Sequence, residues 1–237
     1  MRAAARQRGL RWETYGQIGA YALPVFSGGD ADSDTRIYLS AGIHGDEPAG
    51  VYAVQQLLAD GFFDRRARWL VCPMLNPTGL ANGIRENSQG LDLNRDYRVR
   101  RSAEVIAHCA WLAARPPCQL ALSLHEDWET GGFYLYEINT SARPCIGPAV
   151  LAKTGAVMPA ETRGVLDGHQ VTAPGYILHP PEADEPCNWP EAIHLTKAQP
   201  LLSCTFETPS RLPLPLRVQT HVVAARAAVD EFLAGGV

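Results

Sequence analysis

Three apolar, strand-like runs in this sequence end in residues that can bind a metal ion or move a proton. His44 and Glu47 lie in Ser40-Ala41-Gly42-Ile43-His44-Gly45-Asp46-Glu47-Pro48, His125 in Ser123-Leu124-His125-Glu126-Asp127, and Glu207 in Thr205-Phe206-Glu207-Thr208-Pro209. A histidine and a carboxylate three residues apart across a tight turn can converge on one ion, with His125 as a third ligand and water in the fourth position. Two imidazoles and one carboxylate suit borderline-soft Zn²⁺ in a catalytic rather than a structural site. His-x-x-Glu also arises by chance, and Glu47 could equally serve the start of a helix. Glu207 has the chemistry of a general base, taking a proton from water and passing it to a leaving amine. A fourth polar segment, residues 83–97, supplies Arg85, which can hold an oxyanion, and Asn94 and Arg95, which can grip a carboxylate. The alternative for that segment is a solvated loop with two surface arginines.

Positioning such groups requires a sheet. Residues 37–41, 69–74, 120–124, 132–136 and 201–206 read as strands, the central ones mostly parallel, with helices over residues 49–58, 102–114, 148–158 and 216–233. Pro48 falls in the first turn of the first helix, Ser102 caps the second, and Arg115-Pro116-Pro117 stops it. Strand, helix 49–58 and strand 69–74 form one β-α-β unit. Alternation of this kind marks a layered α/β domain. Residues 162–200, rich in Pro and Gly, are expected to be an irregular excursion over one face of the sheet.

The 237 residues, 46% hydrophobic and 19% charged, have enough apolar content for a sizeable core, which excludes disorder, and no run approaches the roughly 20 apolar residues of a membrane span. A net charge of −4 argues against binding nucleic acid or other polyanions. The six cysteines include no C-x-x-C pair and read as reduced, mostly buried thiols. The basic residues 1–8 lead into Gly9-Leu10-Arg11-Trp12-Glu13 instead of an apolar core, so a cytoplasmic location is expected. His108, His169, His179, His194 and His221 have no partner at ligand spacing and receive no role.

Taken in order, His44-Gly-Asp-Glu47, Arg85-x-Asn87, Asp92-Leu93-Asn94-Arg95, His125 and Glu207 resemble the zinc carboxypeptidase family (M14 metallopeptidases) over residues 36–210. The tract Asn76-Pro77-Thr78-Gly79 leading to Asp-Leu-Asn-Arg looks like the short bacterial branch containing the murein tripeptide amidases. This resemblance implies one Zn²⁺ on His44, Glu47 and His125, Glu207 as base and acid, Arg85 at the oxyanion, and Asn94 and Arg95 on a terminal carboxylate. It also implies a mixed, twisted, mostly parallel α/β sheet flanked by helices on both faces, in a single catalytic domain over residues 1–237. Digestive carboxypeptidases carry a tyrosine that caps the substrate; Tyr176 is the expected counterpart here, with Tyr134 and Tyr136 assigned to core or rim packing.

The expected activity is hydrolysis of an amide bond beside a free carboxylate in a small peptide or murein-type peptide. Succinylglutamate desuccinylase and aspartoacylase share the His-Gly-x-Glu and Asp-Leu-Asn-Arg elements, so deacylation of an N-acyl amino acid is the alternative. A non-catalytic carboxylate-binding module on the same fold is the second alternative. The sequence leaves the oligomeric state open.

Overall fold

The computed structural model describes residues 1–235. The strands are β1 (Arg11–Ile18), β2 (Tyr21–Gly29), β3 (Arg36–Ala41), β4 (Arg68–Cys72), β5 (Leu120–Asp127), β6 (Tyr134–Asn139), β7 (Val165–Leu166), β8 (His169–Gln170), β9 (Tyr176–Leu178) and β10 (Leu202–Pro209). The helices are α1 (Arg2–Gln7), α2 (Pro48–Ala59), α3 (Pro77–Asn82), α4 (Ala103–Ala113), α5 (Gly147–Thr154), α6 (Glu191–Ala198) and α7 (Leu214–Ala234). Eight strands form one sheet in the order β1-β2-β4-β3-β5-β10-β6-β9, while β7 and β8 make a separate hairpin. The inner pairs β4/β3, β3/β5 and β5/β10 are parallel, as is the outer pair β6/β9; β1/β2, β2/β4 and β10/β6 are antiparallel. The mixed, mostly parallel α/β sheet expected from the motifs is the observed fold. The expected β-α-β unit is present as β3-α2-β4. None of the described helices is long and apolar enough to cross a membrane.

Side chains alternate across a strand, so each strand has two distinct faces. On β3, β5 and β10, the residues Ile37, Leu39, Leu120, Leu122, Leu124, Leu202, Cys204 and Phe206 point to the larger core, shared with α2, α5 and α7. The intervening residues Tyr38, Ser40, Ala121, Ser123, His125, Thr205 and Glu207 point the other way. That second face is covered toward one end by α4 and α6 through Val105, Trp111 and Leu195. It stays open toward the carboxyl ends of the strands, where open parallel sheets bind ligands.

The helix starts follow their local chemistry. Pro48 opens α2 with φ already set for a helix and no amide hydrogen to satisfy. Ser102 caps α4 by accepting from Val105 N, as its residue type predicts. In the first half of the chain α1, β1, β2 and α3 have no counterpart among the expected elements, and further differences lie in the second half. The strand expected over 132–136 is displaced to Tyr134–Asn139, and the strand expected to end at Phe206 runs on through Glu207 to Pro209. Residues 162–200 are more ordered than expected. They contain the β7-β8 hairpin, strand β9 added to the sheet edge beyond β6, and helix α6. Tertiary pairing with β6 supplies the partner that makes β9 a strand, which its three-residue length could not announce.

Leu122 is wholly buried at the centre of the larger core, between Leu39 and Cys204 in strand register. Leu122→Ala is expected to lower the unfolding free energy by about 2–5 kcal/mol, measured by urea denaturation. A loss below about 1 kcal/mol would contradict this central position.

Candidate active site

The turn between β3 and α2 is shaped by two glycines. Gly42 has φ +62, which reverses the chain directly after the strand. Gly45 passes so close to α3 that an added Cβ would sit 1.9 Å from the carbonyl carbon of Gly79. Between and beyond them, His44 and Glu47 are carried inward and buried. His44 Nδ1 lies 2.6 Å from Glu47 Oε1, and His125 Nδ1 lies 3.0 Å from Glu47 Oε2. The two imidazole rings stand edge to face with centroids 5.1 Å apart. All three donor atoms fall within 4.8 Å of one another, a geometry able to hold a metal ion.

The surrounding groups orient this triad. Asp92 Oδ1 stands 3.2 Å from His44 Nε2, and Arg85 Nε donates to Asp92 Oδ2 at 3.0 Å. A carboxylate behind the far nitrogen of an imidazole fixes its ring and leaves the near nitrogen as the ligand. Glu47 also accepts from Glu126 N at 3.0 Å. Although Glu47 precedes α2 as its cap residue, its side chain makes no capping bond. The helix is served instead by Glu126, whose Oε1 accepts from Ala49 N at 2.7 Å and whose other oxygen pairs with Arg217. The helix-start alternative for Glu47 is therefore taken by a different carboxylate. The donor set and its backing fit a borderline-soft divalent ion such as Zn²⁺.

Glu207 sits directly beside His125 because β10 and β5 are parallel and in register at these residues. One cavity of about 780 Å³ is lined by His44, Glu47, Arg85, Asn94, Arg95, His125 and Glu207. Every candidate metal-binding, catalytic or substrate-binding residue named from the sequence thus lines one cavity except Tyr176. Tyr176 on β9 is paired with Leu135, turns its ring into the larger core and donates its hydroxyl to Glu137 Oε2 at 2.9 Å. It points to the wrong face, because it shares the parity of Leu135 and not that of Tyr134. Tyr134 and Tyr136 are the tyrosines that line the cavity, being in register with Glu207 and Thr205.

The two key carboxylates titrate in opposite directions. Burial opposes ionisation of Glu47, but the adjacent His44 and His125 outweigh it and hold this carboxyl below the usual range. His44 is correspondingly raised to about 9; burial opposes the shift, and Glu47 and Asp92 outweigh it. Burial pushes Glu207 well above the usual range, assisted by the like charges of Glu47, Asp127 and Asp167. Environments that separate carboxyl pKa values in this way are characteristic of acid–base sites.

A polar layer missed in the sequence lies beneath the cavity. Glu191, at the start of α6, accepts from Tyr38 Oη at 2.6 Å, Ser40 Oγ at 2.7 Å and Ser123 Oγ at 3.1 Å, and its backbone N donates to Asn94 Oδ1 at 2.9 Å. His108 bridges Tyr38 and Tyr97, with Nε2 3.0 Å and Nδ1 2.8 Å from their hydroxyls. Because the Tyr38 hydroxyl hydrogen goes to Glu191, His108 Nε2–H donates to Tyr38 and Nδ1 accepts from Tyr97. This makes His108 a neutral imidazole. No sequence signal marks Glu191; only the apolar strand positions Ser40 and Ser123 hint at a buried polar partner. His169, His179 and Asp184 form a second convergent group on the same cavity wall, contrary to the expectation that these histidines lack partners.

Two measurements probe this architecture. Gly45→Ala is expected to cost about 1–3 kcal/mol in thermal or urea unfolding, because its Cβ would meet α3 backbone. Gly164→Ala, where nothing lies within 4 Å, should stay near wild type. Burial lowers His108 from 6.5 to about 3, so the folded state resists a proton that the unfolded chain accepts. Its contribution to stability is complete above pH 6.5 and is lost as pH falls toward about 3. His108→Gln should flatten the stability–pH slope in this window by up to about 1.4 kcal/mol per pH unit.

Residues 33–145 match the family model for the succinylglutamate desuccinylase/aspartoacylase catalytic domain. No curated protein sequence gives a significant match. Among solved structures, a protein assigned to the metallopeptidases from Shewanella amazonensis superimposes with a TM-score of 0.84 at 25% identity, covering 97% of this chain and 90% of its own. A metallo-carboxypeptidase from Burkholderia cenocepacia gives a TM-score of 0.68 at 17% identity, covering 97% of this chain and 67% of its own. The tripeptide-bound cell shape determinant Csd4 from Helicobacter pylori gives 0.62 at 18% identity, covering 87% of this chain and 54% of its own. The sequence match and the shared fold bear out the likeness read from the motifs: this chain is similar to the metallo-carboxypeptidases and to their succinylglutamate desuccinylase and aspartoacylase relatives.

Proposed function

We propose that this protein is a zinc-dependent hydrolase that cleaves an amide bond next to a free carboxylate, in a small peptide or murein-type peptide. The observation that carries this reading is the strand register that sets Glu207 beside His125 in the cavity shared with Glu47, His44 and Arg85. In this reading the ion is held by His44, Glu47 and His125. Bound there, Zn²⁺ would supply a Lewis acid for the scissile carbonyl and lower the pKa of water toward about 7.

The chain's own residues do the remaining work. Glu207 takes a proton from the attacking water on its carboxylate and delivers it to the departing amine, which needs a carboxyl pKa raised toward neutrality. Arg85, half-exposed and steered by Asp92, donates to the developing oxyanion. Asn94 and Arg95 hold the substrate carboxylate; Arg95 is oriented by its own bond to Asn94 O at 3.0 Å. Tyr134 and Tyr136 flank the substrate from β6, replacing Tyr176 as the tyrosines in reach. A cavity of about 780 Å³ suits a small ligand. The tripeptide on the Csd4 relative supports a short peptide as substrate. A single catalytic domain and a cytoplasmic setting complete the reading, the latter supported by six free cysteines.

The family-model match favours a second reading, deacylation of an N-acyl amino acid by the same residues. A substrate panel separates the two. Short peptides with free carboxyl termini should be cleaved, their amidated forms should react far more slowly, and N-acetyl or N-succinyl amino acids should be poor substrates. Preference for the acyl amino acids would establish the second reading. Glu207→Gln is expected to lower kcat by about 10²–10⁴-fold while metal content is retained. An active enzyme free of metal by elemental analysis would overturn both.

A further inference from the structure

His169, His179 and Asp184 come from three separate stretches of the excursion over residues 162–200. His169 opens β8 directly after the Asp167-Gly168 turn, where both residues have positive φ, +46 and +80. Such a two-residue turn reverses the chain tightly and sets the following side chain against the opposite strand. Asp167 Oδ2 accepts from Tyr136 Oη at 3.3 Å, which ties the turn to β6. His179 follows β9 and is anchored by its backbone N, which donates to Glu137 O at 2.9 Å. The two imidazoles pack edge to face at 4.7 Å, and the Tyr136 ring lies against both, at 5.6 and 6.1 Å.

The hydrogen-bonding state of His179 is determined by its neighbour. Its Nδ1 is 2.6 Å from Pro180 O, and a carbonyl can only accept, so Nδ1 carries the hydrogen. A neutral ring therefore presents a bare lone pair at Nε2, the arrangement that a backbone carbonyl imposes on a metal-binding histidine. That Nε2 faces Asp184 Oδ1 at 3.5 Å, and His169 Nε2 faces Asp184 Oδ2 at 3.4 Å. Both separations are longer than a good N–H···O bond of about 2.7–3.2 Å. They lie close to the spacing of two ligands on a tetrahedral ion with bonds near 2.0–2.1 Å, which is about 3.3–3.4 Å, with one carboxylate oxygen turned to each imidazole. The three donor atoms lie within 4.8 Å of one another.

We propose that His169, His179 and Asp184 form a second transition-metal site on the cavity wall, distinct from the His44-Glu47-His125 group. Two imidazoles and one carboxylate select Zn²⁺ or a neighbouring first-row ion and leave coordination positions open toward the cavity. Such an ion would clamp the β7-β8 turn, the exit from β9 and the loop before α6 to one another. It would also add a positive charge to the cavity that Arg85 and Arg95 line, in a chain whose overall charge is −4 and so offers anionic ligands no general attraction.

The test uses the full chain, stripped of metal by chelation and titrated with Zn²⁺ by calorimetry, with elemental analysis of the end point. The wild-type chain should bind two equivalents. Asp184→Asn, on a residue whose side chain is 67% exposed and so should not disturb folding, should weaken one equivalent at least tenfold, as removal of even an outer partner weakens a site about 10–100-fold. His179→Gln should abolish that equivalent. Zn²⁺ should protect residues 162–200 from limited proteolysis in the wild-type chain and in His44→Gln/His125→Gln, but not in His179→Gln. A second equivalent insensitive to Asp184→Asn and His179→Gln overturns the proposal, as does saturation at one equivalent that is lost in His44→Gln/His125→Gln. Saturation at one equivalent that survives in that double variant supports this site and instead overturns the metal assignment made under the proposed function.

Discussion

The structure depends on a carboxylate that has almost no solvent. Glu47 is 5% exposed and sits between two imidazoles, with a backbone amide and a guanidinium completing its surroundings. A buried charge costs several kcal/mol unless it is paired and hydrogen-bonded, and removing one partner of such a group is strongly destabilising. Protonated imidazoles or a divalent cation can provide that compensation, and both require His44, His125 and Glu47 to meet. The strand ends of β3 and β5 must therefore lie side by side, and the turn carrying Gly45 must press against α3. The fold around the site follows from that meeting.

The same constraint separates the behaviour of the two carboxylates in the cavity. Glu47 has cationic neighbours and stays ionised, whereas Glu207 has burial and like charges around it and is driven toward its neutral form. The turn after β3 and the end of β10 thus bring a charged carboxylate and one driven toward neutrality into the same cavity. Buried polar partners support this arrangement from below. Tyr97, His108, Tyr38 and Glu191 form a directional chain of hydrogen bonds, and Ser40 and Ser123 close it from the sheet. Fully satisfied networks of this kind rigidify a core, whereas a half-satisfied one would destabilise it. Asn94 joins the two levels, since its side chain accepts from Glu191 N while its residue lines the cavity above.

Much of this was legible in the sequence because strand ends that break an apolar run with His or Glu have few structural uses. Ser40, Ser123 and Thr205 precede those breaks on the same face, so alternation alone predicts a polar stripe across β3, β5 and β10. Local capping was equally readable at Pro48 and Ser102. The excursion was not. Strand β9 and helix α6 exist because the sheet edge and the second face give them partners, and neither carries a long enough pattern to declare itself.

The sequence by itself determined the residue types able to bind a metal or move a proton, their order along the chain and the strands or strand ends that carry them, because period-two burial ties chemistry to sheet face. Tertiary structure decided which distant residues share that face. Parity on β6 brought Tyr134 and Tyr136 into the cavity, while pairing of Tyr176 with Leu135 sent its ring into the core. Glu191 entered the polar layer, and His169, His179 and Asp184 converged, only because separate segments packed against one sheet. Convergence of side chains from remote segments is set by packing and register, which no short window of sequence contains.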